Sequence, residues 1–393
     1  YHLYKIDKIP KNMKKQKICI IGDGLSGLSA ALILSKLDIE VDFVIKSAQK
    51  NNINDPRTTA ISPSNYNFIS KYLNTNDLNT FWGCKSINLF YEKSEKLINF
   101  LNFSESNKNI LYIARNNNLK KILFKKIESK KNIRIINNEI KKIDIKKTQV
   151  LIKNKFINYD LILLCLGKNS KIIAEFLGKR IIEQNIKEIA FTSVVKHNSK
   201  ILDPKQYFLK EGPLAILPID EKTFSFVWSV SSTYKNINVE KFVNLKLNKI
   251  LGKNVKVSFK KPMIFPISFK FNSNFSQYNS IVLGDGSYNV HPVAGQGFNL
   301  ILRDIIYLFQ LIENNQSLGL QIKDSLIFKK FVKSRKPENL LFGLGISFTN
   351  NFFKYNKNIL PVKEFVLKDI NNFKFLKQLS MKISDKGIFQ SLK

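Results

Sequence analysis

Leu283-Gly-Asp-Gly-Ser-Tyr-Asn-Val-His-Pro-Val-Ala-Gly-Gln-Gly-Phe-Asn299 is the stretch whose reading decides the fold of this 393-residue chain. The run that leads into it, Ser280-Ile-Val-Leu283, reads as a short buried strand, and Gly284 with Asp285 ends it. Gly295 and Gly297 let backbone N–H groups approach a ligand closely at a helix start, and the helix-like run that follows carries Arg303 and Asp304. An Asp at such a strand end can hold a ligand hydroxyl. The amides after Gly295 can meet the electron-rich edge of a ring.

Working outward, the N-terminal part holds a second glycine turn. Lys17-Ile-Cys-Ile-Ile21 is a continuous apolar strand, Gly22-Asp-Gly24-Leu-Ser-Gly27 turns, and Leu28 to Leu37 continues as a helix. In this strand-turn-helix context GxGxxG reads as a dinucleotide site: Gly22 makes the tight turn, Gly24 admits a pyrophosphate, and Gly27 permits close helix-to-strand packing. The end of the second strand, Glu40 to Ile45, is where an acid would hold the adenosine ribose, but Ile45 and Lys46 stand there. Ser47 or Gln49 is left to substitute, or affinity falls.

The composition excludes several classes. A 44% hydrophobic content argues against disorder despite a net charge of +34. Lys, Asn and Ile are spread along the whole chain, as AT-rich coding would give, so the charge reads mainly as solvated faces, with attraction to anionic lipid left open. No confined basic motif accompanies it, so no nucleic-acid partner is expected. Cys19, Cys84 and Cys165 form no CxxC pair, and His2, His197 and His291 form no cluster with them. A reduced, cytoplasmic protein without a metal is expected, with peripheral attachment to the inner face of the cell membrane as an open alternative. No apolar run is long enough to span a bilayer. Met13 reads as the natural start, with residues 1–12 as upstream read-through or an ordinary tail.

Three motifs in order carry a resemblance: GxGxxG at Gly22–Gly27, Asp55-Pro-Arg57-Thr-Thr-Ala-Ile-Ser62, and Gly284-Asp285 through Asn299. The chain resembles the FAD-dependent aromatic hydroxylases of ubiquinone biosynthesis, the 2-polyprenylphenol hydroxylase type, which share the p-hydroxybenzoate hydroxylase fold. Tyr112-Ile-Ala-Arg-Asn116, the Gly212–Pro218 hairpin with Phe224–Ser229, and the tail from Lys333 through Leu360-Pro-Val to Gly387 extend the likeness. The family's Ala-Asp-Gly-x-x-Ser motif is altered here to Cys165-Leu-Gly-Lys-Asn-Ser170, with Leu166 at the acidic position and Ile173 at the basic one. Tyr288 stands where the family often has His.

The resemblance implies an α/β chain with a Rossmann-like FAD-binding domain (residues 14–80, 102–180 and 275–335), a mixed-sheet substrate domain (84–101 and 181–274) and a helical C-terminal region (336–393). It implies FAD held by Gly22, Gly24, Gly27, Arg57, Asn116, Gly284, Asp285, Gly295, Gln296, Gly297, Phe298 and Asn299, with Pro292 and His291 at the reacting face of the flavin. Arg57 would reach FAD phosphate or ribose, against the alternative of a surface turn. His291 is a polar group near the flavin or a packing residue at the helix entry. NAD(P)H would reduce the flavin, O2 would add as a C4a-hydroperoxide, and a polyprenylated phenol would be hydroxylated. Two other functions stay open: a non-catalytic, flavoprotein-like member of a complex with other ubiquinone-biosynthesis proteins, and a flavin reductase on the same fold. Phe226 and Trp228 line the substrate pocket or form plain sheet core. The tail after residue 337 meets a membrane surface or packs as ordinary helices.

Overall fold

β1 (Gln16–Ile21) lies between β2 (Ile39–Ile45) and the strand Leu161–Leu164, parallel to both, with Ile20 opposite Phe43 and Leu163. Strands buried on both faces need a continuous apolar run, and Ile18 to Ile21 supplies one. The computed structural model describes residues 15–46, 55–167, 170–178, 181–252, 254–272, 275–289, 295–323, 326–353 and 373–391. Met13, Ser47, Gln49, His291, Pro292 and the Leu360-Pro-Val segment lie outside them. The parallel sheet extends on one side to Ile133–Asn137, and on the other to Ser280–Val282 and the antiparallel edge Ser276–Gln277. α1 (Leu25–Leu34) is buried along its length, as its nearly all-apolar sequence demands, and packs against the helices Asn116–Glu128 and Gly297–Ser317.

One charge interrupts this core. The Asp42 side chain in β2 is 2% exposed and accepts from Arg134 Nε at 2.9 Å, Arg134 Nη2 at 2.7 Å, Tyr159 Oη at 2.6 Å and Lys17 Nζ at 3.0 Å. Burial pushes its carboxyl up, but the bonds from Arg134, Tyr159 and Lys17 outweigh that and hold it below the ordinary value. The buried free cysteines behave as small hydrophobes: burial pushes Cys165 up to about 12, and Cys19 and Cys84 further still.

A second, nine-stranded mixed sheet orders as Tyr288–Asn289, Met263–Asn272, Ile181–His197, Thr223–Ser231, Gly212–Asp220, Lys205–Leu209, Ser86–Lys93 and Lys96–Ser104, with Val257–Phe259 also paired to Ile181–His197. Its pairs are antiparallel except Lys205–Leu209 with Ser86–Lys93. Alternation divides its faces. Trp228, Phe226, Phe191 and Ile216 point to a core shared with the helix Val239–Leu251, where the Trp228 and Phe242 rings stack at 4.6 Å and 7°. Phe226 and Trp228 are therefore sheet core, and the pocket-lining alternative is corrected. Ser225, Val227, Ala215, Leu217 and Phe265 take the opposite face, where Ser225 Oγ donates to Pro56 O at 3.5 Å and Leu217 packs with Ala60 and Ile113.

A small antiparallel sheet joins the two: β3 (Thr58–Ile61), Leu111–Arg115 and Trp82–Cys84. After Gly297–Ser317 come the helices Ile327–Phe353, Lys374–Lys386 and Ile388–Ser391. Among the described residues no helix is long and apolar enough to cross a membrane.

The Asp42 cluster gives a stability test. A carboxyl held below its unfolded value of about 3.9 stabilises the fold above that pH, and the contribution drains away as pH falls through the folded value. Asp42→Asn should cost about 1–3 kcal/mol at neutral pH, because Lys17 and Arg134 lose a charged partner yet can turn to water. Urea unfolding should show the gap to the parent closing below about pH 4.

Candidate functional site

The first glycine turn is set by sterics. Gly22 has φ +120°, its N–H donates to Val44 O at 2.9 Å, and a Cβ there would lie 2.3 Å from Cys165 O. A Cβ on Gly27 would lie 1.9 Å from Gly22 O, whereas one on Gly24 meets open space. Gly24 is the N-cap of α1, with no side-chain cap and no acid in the first turn, so the leading amides of this buried helix have no anionic side chain of their own turn as a partner.

The second glycine turn rests on the first. Leu283 N–H donates to Leu164 O at 3.0 Å, continuing the parallel sheet, and a Cβ on Gly284 (φ +90°) would come within 2.5 Å of Ser26 Oγ. The Ser287 N–H and Oγ both close on Gly284 O at 2.9 Å. Asp285 lies within this turn and is exposed, and its charge acts on Arg57. Hydrogen bonds from Nε at 2.8 Å and Nη2 at 2.7 Å grip both Asp55 carboxylate oxygens, and this bond, with the charges of Asp55 and Asp285, raises Arg57 above its ordinary value. The guanidinium also lies 5.4 Å over the Phe265 ring of the second sheet.

Asn116 opens the helix Asn116–Glu128, and its N–H donates to Arg57 O at 3.1 Å. Its Oδ1 and the neighbouring Thr58 Oγ1 are buried without a protein partner, an arrangement that fits a ligand donor. Gly295 (φ +60°) sits 3.1 Å, by its would-be Cβ, from Ala60. Gln296 then caps the helix Gly297–Ser317, whose first amides, at Gly297, Phe298 and Asn299, have no intrahelical acceptor. The Asn299 side chain is fully buried and spent within the protein: Nδ2 donates to Ala60 O at 2.9 Å, and Oδ1 accepts from Ser62 N at 2.8 Å and Asn65 Nδ2 at 3.0 Å.

The substituted positions have physical explanations. Ile45 is 1% exposed core, and Lys46 pairs with Glu139 at 2.8 Å. Ile173 is buried, and its Cδ1 and Leu166 O form the floor under Gly286. Tyr288 donates to Asp304 Oδ2 at 2.7 Å. Asp304 also accepts from Arg335 Nε at 2.6 Å and Asn339 Nδ2 at 3.1 Å, while Glu338 binds Arg335 and lies 3.6 Å from Arg303. Burial, then the like charge of Arg335, lowers Arg303 to about 10. This network and the Asp385 carboxylate, which takes Ser64 N at 2.7 Å and Ser64 Oγ at 2.6 Å, escaped sequence reading. Its one local signal was the pair Arg303-Asp304 inside an apolar helix.

The geometry defines a class: a parallel-sheet dinucleotide fold beside a mixed sheet whose edge strand, Tyr288–Asn289, follows the second glycine turn. It matches FAD-dependent monooxygenase structures. One is PqsL, a probable FAD-dependent monooxygenase from Pseudomonas aeruginosa, with a TM-score of 0.70 and 13% identity over 94% of this chain and 99% of that one. The chain belongs to the glucose inhibited division protein A family, whose model matches residues 17–254. A squalene epoxidase model matches residues 224–374. The expected likeness to ubiquinone-pathway hydroxylases is found: 27% identity over 218 residues with the ubiquinone biosynthesis monooxygenase COQ6 of Dictyostelium discoideum (46% of this chain), and 25% over 169 residues with 3-demethoxyubiquinol 3-hydroxylase of Escherichia coli strain K12 (41% of this chain). These matches span 43% and 41% of the relatives' lengths, less than half of each.

Two substitutions separate architecture from binding. Asn299→Ala leaves Ser62 N–H and Ala60 C=O buried without partners and should cost roughly 2–4 kcal/mol in urea unfolding. Gly24→Ala enters open space and should change stability by no more than about 1 kcal/mol, while its methyl group blocks the approach to the leading amides. Calorimetry should then show dinucleotide affinity falling with the melting temperature nearly unchanged.

Proposed function

We propose that this protein is an FAD-dependent monooxygenase that hydroxylates the aromatic ring of a polyprenylphenol-type ubiquinone precursor, with NAD(P)H as reductant and O2 as co-substrate. The observation that carries the reading is the seating of Gly284 on Ser26, which joins two glycine turns far apart in sequence into one elongated cradle. Bound FAD would supply electron transfer from NAD(P)H and the activation of oxygen. The rest falls to the chain. The α1 amides beside Gly24 would take the pyrophosphate, Arg57, whose Nε and Nη2 hold Asp55, would offer Nη1 to a phosphate oxygen, and Asp285 would accept from the ribityl hydroxyls. Asn116 Oδ1 adds an acceptor, and the amides of Gly297, Phe298 and Asn299 meet the pyrimidine edge. His291 and Pro292, which lie in sequence between the Gly284 turn and the helix start at Gly297, would meet the reacting face of the flavin.

The substrate ring and its tail would lie against the face of the second sheet that carries Val227, Ala215, Leu217 and Phe265, all partly exposed. This apolar wall excludes water and suits an isoprenoid tail. The ubiquinone-pathway names of the relatives support the substrate class, as does the squalene epoxidase match, since squalene is itself an isoprenoid.

Purified protein should retain FAD, and NAD(P)H with a prenylphenol in air should bleach and then restore the flavin band, yielding product heavier by one oxygen atom by mass spectrometry. Folded protein without FAD, or flavin reduction with no oxygenated product, would contradict the proposal. The first result favours a non-catalytic component and the second a reductase.

A further inference from the structure

Alternation along the strand Ile181–His197 sends Ile189, Phe191 and Val195 into the core shared with the helix Val239–Leu251, and Ala190, Thr192 and Val194 to the opposite face. Thr192 stands opposite Val227 on one neighbouring strand and Met263 on the other, pairs in which side chains sit about 5 Å apart. This face meets the stretch that follows Asp55. Ser225, two positions from Val227, donates to Pro56 O, and the Phe265 ring, two positions from Met263, lies under the Arg57 guanidinium. Leu217 packs with Ala60, which in turn backs Gly295.

Thr192 is 2% exposed, and its Oγ1 has no protein partner. Among the described residues it is the one buried side-chain polar atom of this face left so, since Ser225 spends its hydroxyl on Pro56. An unpaired buried hydroxyl forfeits the hydrogen bonds it makes in water, so packing alone would favour valine, which has nearly the same shape. The surroundings admit a ligand: Val194, Val227 and Phe265 are partly exposed, and Met263, 40% exposed, carries an unbranched side chain that can turn aside. We propose that Thr192 Oγ1 holds the phenol hydroxyl of the substrate and thereby fixes which ring carbon is presented for oxygenation. The inference rests on the hydroxylase reading above and names the group that orients the ring. A threonine hydroxyl both donates and accepts, so it holds a neutral phenol without taking its proton. One polar anchor in an apolar wall sets the orientation of a flat ring, because turning the ring would leave both hydroxyls unpaired.

Calorimetric titration of the FAD-loaded protein with a prenylphenol, and with the prenylbenzene that lacks its hydroxyl, tests this. The parent should bind the phenol about tenfold more tightly, although the hydrocarbon is the readier of the two to leave water. Thr192→Val should abolish that preference by weakening the phenol alone, with a melting temperature equal to the parent's or higher, and Thr192→Ser should keep it. In turnover, T192V should spread the added oxygen over more than one ring carbon, read by chromatography of the products, where the parent gives one isomer. A merely structural role would move both ligands together and leave the product pattern intact. A hydroxylating parent whose phenol preference and single isomer survive in T192V would overturn this inference and leave the hydroxylase reading standing. A parent that binds neither compound, or gives no oxygenated product, would overturn both. Should T192V fail to fold, Thr192→Ala must show the same loss of preference.

Discussion

The side chain of Asn299 has no exposure, and the placement of the whole cradle depends on it. An amide offers two donor hydrogens and a carbonyl oxygen, and here they join Ala60, Gln296, Ser62 and Asn65. Two stretches of chain far apart in sequence are thereby locked: β3 with the α2 that follows it (Pro63–Ser70), and the helix that starts at Gly297. β3 continues directly from Arg57, and Ala60 backs Gly295. The same bonds thus position the guanidinium at one end of the cradle and the helix amides at the other. An amide in a low-dielectric interior tolerates no half-satisfied arrangement, which makes the junction unique in register.

The buried charges around Asp304 extend that junction. Two arginines, Arg303 and Arg335, face two carboxylates, Asp304 and Glu338, with Tyr288 and Asn339 completing the shell. Such a cluster adds little net stability, because desolvation offsets most of the attraction, but a wrong helix register would strand charges in the core. It ties the strand just after Gly284 to the helix Ile327–Phe353. The Lys374–Lys386 helix is anchored through Asp385 on the start of α2. The C-terminal helices are thereby tied to the strand that follows the Gly284 turn and to the start of α2.

Much of this was legible in the sequence where the determinants are local. Gly22 and Gly27 must be glycine because a Cβ would strike backbone oxygens, and the motif lay between a plain strand and a plain helix. The Gly284-Asp285 turn was equally readable. The contacts that assemble the site were not, since Ser62 and Asn299 lie 237 residues apart and nothing in either neighbourhood names the other. Phe226 and Trp228 show the same limit from the opposite direction. Strand alternation put them on one face, but only the position of the helix Val239–Leu251 decided that this face is core. The substitutions at Ile45 and Leu166 were legible as departures, and packing explains them: Ile45 is core, and the Leu166 side chain packs against the same core.

The central claim is that two distant glycine turns form one flavin cradle. A crystal structure of the protein with bound FAD tests it most directly. Pyrophosphate oxygens should then lie on the amides beside Gly24, the Arg57 guanidinium within reach of phosphate, and the pyrimidine edge of the ring on the amides of Gly297 to Asn299. FAD bound with its ring away from the Gly297 helix start, or with Gly24 and Gly284 serving separate ligands, would contradict it.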